Sequence, residues 1–277
     1  MENQKSSVVK KSLKWLVILF SVLVVLAIAL PFLFKDKIIA KVKEEANNNL
    51  NAKLNFGDFD LALISSFPDF KFTIQNLSIA GIDSFAGDTL MSVKEMQLNI
   101  NLLSVIKGSQ YKINSILLDQ PRIVAKVLKG GKANWDITKP SPATPAPADE
   151  SAKFKMQLKN LEIKNGWIVY DDADLGVKTI LDGFNHTLSG DFTQDNFELS
   201  TLSDIQRFTM TYEGIDYLSK VKLLAQADID VDMPNFKFTF KENEFQLNEL
   251  FLGMNGYFAM PKEDMDMNLS FSAKDRI

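Results

Sequence analysis

The chain opens on an apolar run and then settles into alternation of apolar and polar positions. Trp15–Phe34 carry no charge over 20 positions. At about 1.5 Å per residue, a helix of that length crosses the roughly 30 Å hydrocarbon core of a bilayer. Its interruptions are Ser21 and Pro31, and Pro31 lies near the end, where a kink does little harm. The pattern predicts a single-pass transmembrane anchor over residues 15–34, preceded by a tail, residues 1–14, carrying Lys5, Lys10, Lys11 and Lys14. A cleaved signal peptide is the competing reading, since Ala27-Ile28-Ala29 has the small residues of a cleavage site. The apolar run continues past it through Leu30, Phe32, Leu33 and Phe34, with Pro31 just behind the cut, which favours the uncleaved anchor. Lys35, Lys37, Lys41 and Lys43 follow the span, so positive charge lies on both sides. A short cytoplasmic tail and a long exported body is the simpler arrangement.

Residues 35–54 predict an amphipathic helix. Ile38, Ile39, Val42, Ala46 and Leu50 fall on one face, while Lys41, Lys43, Glu44 and Asn48 fall elsewhere. Such a stripe packs either on a following sheet or on the membrane surface. From Phe56 onward the period is two. Phe70, Phe72 and Ile74 alternate with Lys71 and Thr73, and Leu77 and Ile79 continue after a register change near Asn76. Met96, Leu98, Ile100 and Leu102 make the next strand, Ile113 and Ile116–Leu118 another, and Arg122–Leu128 a further one before a Gly130-Gly131 turn. These residues, 55–138, form a first β segment.

Lys139–Glu150 holds four of the chain's nine prolines and reads as an exposed linker between two sheets, or as a loop leaving one continuous sheet. Alternation then resumes over residues 151–277. Asn165-Gly166, between Leu161–Ile163 and Trp167–Tyr170, predicts a hairpin turn. Val221, Leu223, Ala225, Ala227, Ile229, Val231 and Met233 occupy every odd position of a long strand. Phe236, Phe238 and Phe240 alternate with Lys237 and Thr239, and Met265, Met267, Leu269 and Phe271 with polar neighbours. A short helix is predicted at Ser203–Phe208 or at Tyr212–Ser219. The fold class is therefore mainly β: a long, curled antiparallel sheet after two N-terminal helices. Each strand has one apolar and one wet face, as in an antiparallel sheet covered on one side. With few helices to cover it, the apolar side either closes on itself as a sandwich or barrel, or curls into a groove open to a greasy ligand. About 12 strands at roughly 4.8 Å make a sheet on the order of 60 Å wide. The chain ends just after a strand, which predicts that it is the first part of a longer protein.

Composition narrows the chemistry. Net charge is −4, against a nucleic-acid partner. The chain has no cysteine and one histidine, His186, which removes thiolate chemistry and most histidine-based metal and catalytic sites. Asp171-Asp172-Ala173-Asp174 lacks the glycine and terminal glutamate of a calcium loop and reads as a polar turn. Asp228, Asp230 and Asp232 share one face of a strand and read as solvated. His186 has no nucleophile constellation around it in sequence. No metal, cofactor or catalytic residue is predicted.

Several phrases carry a family resemblance. Leu61-Ala-Leu-Ile-Ser-Ser-Phe-Pro68, Phe72–Ile79, Met91–Leu103 followed by Ile113–Val127, Asn134-Trp-Asp-Ile137 before a low-complexity loop, and Asn160–Asp172 after it stand in the order and spacing of AsmA-family amino-terminal regions, which the chain resembles over nearly its whole length. The resemblance implies a Gram-negative envelope protein, anchored in the inner membrane with a periplasmic body. It further implies kinship to β-groove lipid-transfer proteins, links to outer-membrane assembly and lipid homeostasis, and no catalytic residues. On that reading phospholipid or another acyl lipid is the ligand. The groove lining is Phe70, Phe72, Ile74, Val221, Leu223, Phe236, Phe238, Phe240, Met265 and Met267. A structural protein with a closed core that binds other envelope proteins is the alternative.

Overall fold

The computed structural model describes residues 37, 39–41, 43–45, 47–62, 69–101, 103–104, 112–139, 157–192, 194–261 and 265–273. The predicted anchor, residues 15–34, and nearly all of the Pro-rich stretch lie outside the described residues. Among the described residues no helix is long and apolar enough to cross a membrane.

One 13-stranded sheet dominates. Its strands are β1 (Ala52–Asn55), β2 (Phe59–Ala62), β3 (Asp69–Gly81), β4 (Thr89–Asn101), β5 (Lys112–Asp119), β6 (Arg122–Val127), β7 (Gln157–Asp172), β8 (Val177–Ser189), β9 (Asn196–Tyr212), β10 (Ile215–Asp232), β11 (Lys237–Leu247), β12 (Leu250–Ala259) and β13 (Asp266–Ala273). The order is β1-β3-β4-β5-β7-β8-β9-β10-β11-β12-β13, with β2 beside β1 on the edge of β3 and β6 beside β5 between β4 and β7. Two positions in the sheet are thus filled by broken strands. Between β1 and β2, Gly57 N donates to Gln75 O and Gln75 N to Asp58 O, both at 2.9 Å, so pairing with β3 nearly continues. Between β5 and β6, Gln120 N donates to Lys164 O and Trp167 N to Pro121 O, both at 2.8 Å. Pro121, with no N–H to offer, suits that break.

The sheet corrects four expectations. It is not antiparallel throughout, because β5 and β6 pair with β7 in parallel. A parallel neighbour needs a crossover of a dozen residues or more, and residues 128–156, which include the Pro-rich stretch, supply it. Asn165-Gly166 is no hairpin turn: β7 runs straight through it. A single residue, Asn165 (φ 49°), adopts the left-handed conformation, and the register shifts there. A two-residue hairpin of that type needs both residues left-handed, whereas one makes a bulge. Neither predicted short helix forms. Ser203–Phe208 lies in β9 and Tyr212–Ser219 mostly in β10, where cross-strand neighbours on both sides outweigh local preference. The N-terminal helix stops at residue 49. There Asn51 N donates to Ile137 O at 2.6 Å and Lys139 N to Asn49 O at 2.9 Å, so residues 137–139 turn the chain out of the helix into β1.

That helix, residues 37–49, takes the sheet-packing role at Ile39, which contacts the buried cluster Phe56, Phe59, Leu77 and Val93. Lys43 Nζ sits 4.7 Å from the Phe56 ring centroid. The strap that ties the helix down is anchored in turn by Asn134, 3% exposed. Asn134 fills the edge of β6 that β4 is too short to reach: its Oδ1 accepts from Lys126 N at 2.8 Å and its Nδ2 donates to Val124 O at 2.6 Å. Trp135 beside it contacts Tyr170, ring centroids 6.1 Å apart. Asn134→Ala strands two buried backbone groups and is expected to cost about 2–4 kcal/mol. The urea midpoint should fall accordingly, with faster amide exchange confined to Val124–Lys126.

A crease crosses the sheet strand by strand. Asn76 in β3, Gln120 between β5 and β6, Asn165 in β7, Gly183 in β8, Lys220 in β10 and Asn248 after β11 all have φ between 48° and 68° or so, at 53°, 52°, 49°, 67°, 54° and 52°. Two members are tied to the adjacent strand by side-chain bonds: Asn165 N donates to Asn185 Oδ1 at 2.9 Å, and Asn248 Oδ1 accepts from Lys222 N at 2.9 Å. Left-handed φ is uncommon outside glycine, with asparagine enriched. Each such residue resets which side of the sheet the next side chains take. That is how Ile74 and Leu77, an odd number of residues apart, reach the same core.

Candidate functional site

The registers assemble one face. Phe59 of β2 stands opposite Ile74 of β3, then Met96 of β4, Leu118 of β5 and Ile163 of β7. The same row continues through His186 of β8, Ser203 of β9, Ala225 of β10, Phe245 of β11, Leu252 of β12 and Ala273 of β13. On the other side of the crease a second row runs Met91, Ile123, Ile168, Leu181, Phe208, Val221 without a polar residue. Near the far edge Phe197, Val231, Phe238, Phe258 and Met267 make a third. Adjacent strands lie about 4.8 Å apart, so the ten steps of the path carry this apolar strip on the order of 50 Å.

Among the described residues the strip is open along most of its length: its row members are mostly half-buried, and the largest side chains less than 2% exposed are Val93 and Pro121. Among the described residues, the elements in extensive contact are hydrogen-bonded neighbours, apart from a 3-10 turn, Asp83–Phe85, against β3. A closed sandwich would bury these rows against a second layer. Cover is concentrated at the β1–β5 end, where Ile39 of the helix lies on the core. Exposure is greatest at the other end, where Met267 and Phe271 are 61% and 65% exposed.

Of the predicted lining, Phe70, Phe72, Ile74, Val221, Leu223, Phe238, Phe240 and Met267 stand in strands on this face, joined through the pairs Phe72–Leu98, Leu223–Ile205, Phe240–Ile229 and Phe238–Val231. Phe236 and Met265 do not. Phe236 is in the β10–β11 turn with φ 44°, its ring edge-on to Phe238 at 5.1 Å, and Met265 precedes β13. Alternation overran the strand ends at both places. The reading missed Met96, Leu118, Ile163 and Phe245 as members of one row, which alternation alone does not align between strands.

The opposite face is polar and internally paired. Asp228 accepts from Ser200 Oγ at 2.7 Å, and Lys241 lies 2.7 Å from Asp230 and 3.5 Å from Glu198. The hydrogen bond to Asp230 is the main cause that raises the Lys241 pKa. Asp182 pairs with Arg207 at 2.6 Å, and the Arg122 guanidinium lies 4.5 Å over Trp167. Where the crease opens on this side, a depression of about 500 Å³ is lined by Ser78, Ser92, Lys94, Arg122, Trp167 and Asp182 among others. The acidic run closes β7 and leads into a turn. Asp172 Oδ1 accepts from Asp174 N and Leu175 N at 2.9 Å, and its other oxygen accepts from the Tyr170 hydroxyl at 2.7 Å. The Leu175 N–H is the largest of the causes that lower its pKa. Among the described residues no acidic or histidine cluster of metal-binding shape occurs.

His186 is a titratable member of the long row whose pKa moves. Burial holds it below its ordinary value near 6.5. The unfolded chain therefore takes up the proton first as pH falls, so this group's stabilisation is full above the ordinary value and is lost as pH drops toward the native one. Between about pH 7.5 and 5.5 the urea midpoint of the wild type should fall more than that of His186→Phe. Equal slopes would place the histidine in a solvated site.

A family model described as the AsmA family matches residues 9–259. Comparison with curated proteins and with solved structures finds no match. A match over most of the chain settles the assignment: this chain belongs to the AsmA family.

Proposed function

We propose that this is an inner-membrane-anchored, periplasmic protein of the bacterial envelope whose apolar face binds phospholipid or another acyl lipid and lets it move along the sheet, in service of outer-membrane assembly and lipid homeostasis. The observation that carries the reading is the half-exposed apolar strip running from β2 to β13. A face of that extent left to water is a liability unless something greasy occupies it. Burying a methylene is worth about 0.8 kcal/mol and the interaction is non-directional, so an acyl chain gains several kcal/mol on the strip and shifts from strand to strand at little cost. No catalytic step is required. The helical anchor, residues 15–34, would place the β2 end nearest the bilayer.

The second reading is an interaction protein. β13 is the last strand in the sheet order and exposed at nearly every position, so a strand of another envelope protein could add to its edge. The half-exposed rows favour lipid over a closed-core scaffold. Native mass spectrometry of the full chain, released from detergent after delipidation and incubation with phospholipid vesicles, tests this. Retained phospholipid at defined stoichiometry is the expected result. A chain that stays lipid-free while a known lipid carrier loads in parallel would turn the search to protein partners.

A further inference from the structure

The long row has one polar step. His186 Nδ1 and Ser203 Oγ stand 2.9 Å apart on β8 and β9, and the His186 ring stacks on Phe184 with centroids 5.5 Å apart and planes at 28°. Hydrogen-bond arithmetic leaves one donor over. A neutral imidazole has one N–H and one bare nitrogen, and serine has one O–H. If the hydroxyl donates to Nδ1, the imidazole proton is on Nε2. If Nδ1–H donates to Oγ, the hydroxyl hydrogen is unspent. Whichever tautomer forms, the pair keeps one donor for a third group. Among the described residues neither side chain has another hydrogen-bond partner.

The surroundings define what that third group is. The next residues of the row are Ile163 on one side and Ala225 on the other. Charged side chains nearby belong to the opposite face and are spoken for there: Glu162 with Lys164 at 3.2 Å, and Asp182 with Arg207 at 2.6 Å. A single neutral donor among apolar neighbours does not offset the desolvation of a phosphate or carboxylate, but it does satisfy a neutral acceptor. Ser203 and Ala225, and Thr201 with Ala227 in the adjacent row, are small side chains between the larger Ile163 and Phe245.

We infer that the His186–Ser203 step is a docking point for the ester carbonyl of an acyl lipid, with the carbonyl oxygen taking the spare donor and the hydrocarbon lying along the apolar row. The inference rests on the acyl-lipid reading of the face. It turns a uniform slide into one with a preferred stop, and it selects ester-linked over ether-linked lipid.

The test is a competition. The full chain is incubated with equal amounts of a diacyl and a dialkyl glycerophosphocholine of matched chain length, and the retained ratio is read by native mass spectrometry. One hydrogen bond corresponds to a preference of about 5- to 10-fold for the ester lipid in the wild type. The double variant His186→Phe/Ser203→Ala keeps a ring on Phe184 and removes both donors of the pair, so its ratio should fall to about 1. His186→Leu/Ser203→Ala serves if the first double variant does not fold. Failure to retain either lipid would defeat the reading of the face itself. Retention of both at a ratio near 1 in the wild type, or a ratio that survives the substitutions, would overturn the carbonyl docking and leave that reading standing.

Discussion

Val93→Asp is expected to unfold the β1–β5 end of the sheet. Val93 is 1% exposed in β4 and packs in the cluster with Phe56, Phe59 and Leu77, under the helix that carries Ile39. A carboxylate at this position is buried among apolar side chains, which costs several kcal/mol even after its pKa rises. A domain with about 5–15 kcal/mol of net stability does not absorb that in its densest cluster. Val93→Ala removes only two methyl groups and should cost about 2–3 kcal/mol, leaving a cooperative transition at lower urea. Leu202→Asp is the contrast. Leu202 is 41% exposed on the polar face opposite Gln226, and the same chemical change there should move the midpoint within about 0.5 kcal/mol. If Val93→Asp behaved like Leu202→Asp, the cluster would not be the core.

Phe238→Asp should abolish phospholipid retention while leaving circular dichroism and the urea midpoint nearly unchanged. Phe238 lies in the row Phe197, Val231, Phe258, Met267 and meets Phe236 and Phe258 at ring-centroid distances of 5.1 and 6.4 Å. Being half-exposed, a carboxylate there keeps water on one side, so the fold tolerates it. A passing hydrocarbon chain does not, since it would have to strip that water or leave the row. Unchanged lipid content would remove Phe238 from the lipid-bearing surface. The effect should be specific to the face: Thr239→Asp, one residue on and pointing to the other side, should retain lipid.

The period-two alternation made the strands legible. Phe70–Ile74, Met96–Ile100 and Leu223–Val231 all fall in strands with their apolar positions on one side. Alternation carries no information on which strand lies beside which. The parallel neighbours β5 and β7 are separated in sequence by the Pro-rich stretch, and nothing local announces that a crossover spans it. The crease was half-legible. Asn76 showed as a register change, but Asn165-Gly166, the same device, has the signature of a hairpin turn. Strand ends were overrun at Phe236 and Met265 because an apolar residue in a turn continues the pattern without continuing the strand. His186 was read from its sequence neighbours, which say nothing of Ser203 across the strand pair; the polar step exists only in the register.

Site-specific photocrosslinking in living cells reads the central claim most directly. A photoreactive amino acid is placed singly at neighbouring positions of opposite face: Ile163 against Glu162 in β7, and Leu181 against Asp182 in β8. The account predicts phospholipid adducts at Ile163 and Leu181 and none at Glu162 or Asp182. Adducts at all four positions alike, or at none while protein adducts form, would contradict an apolar face that carries lipid.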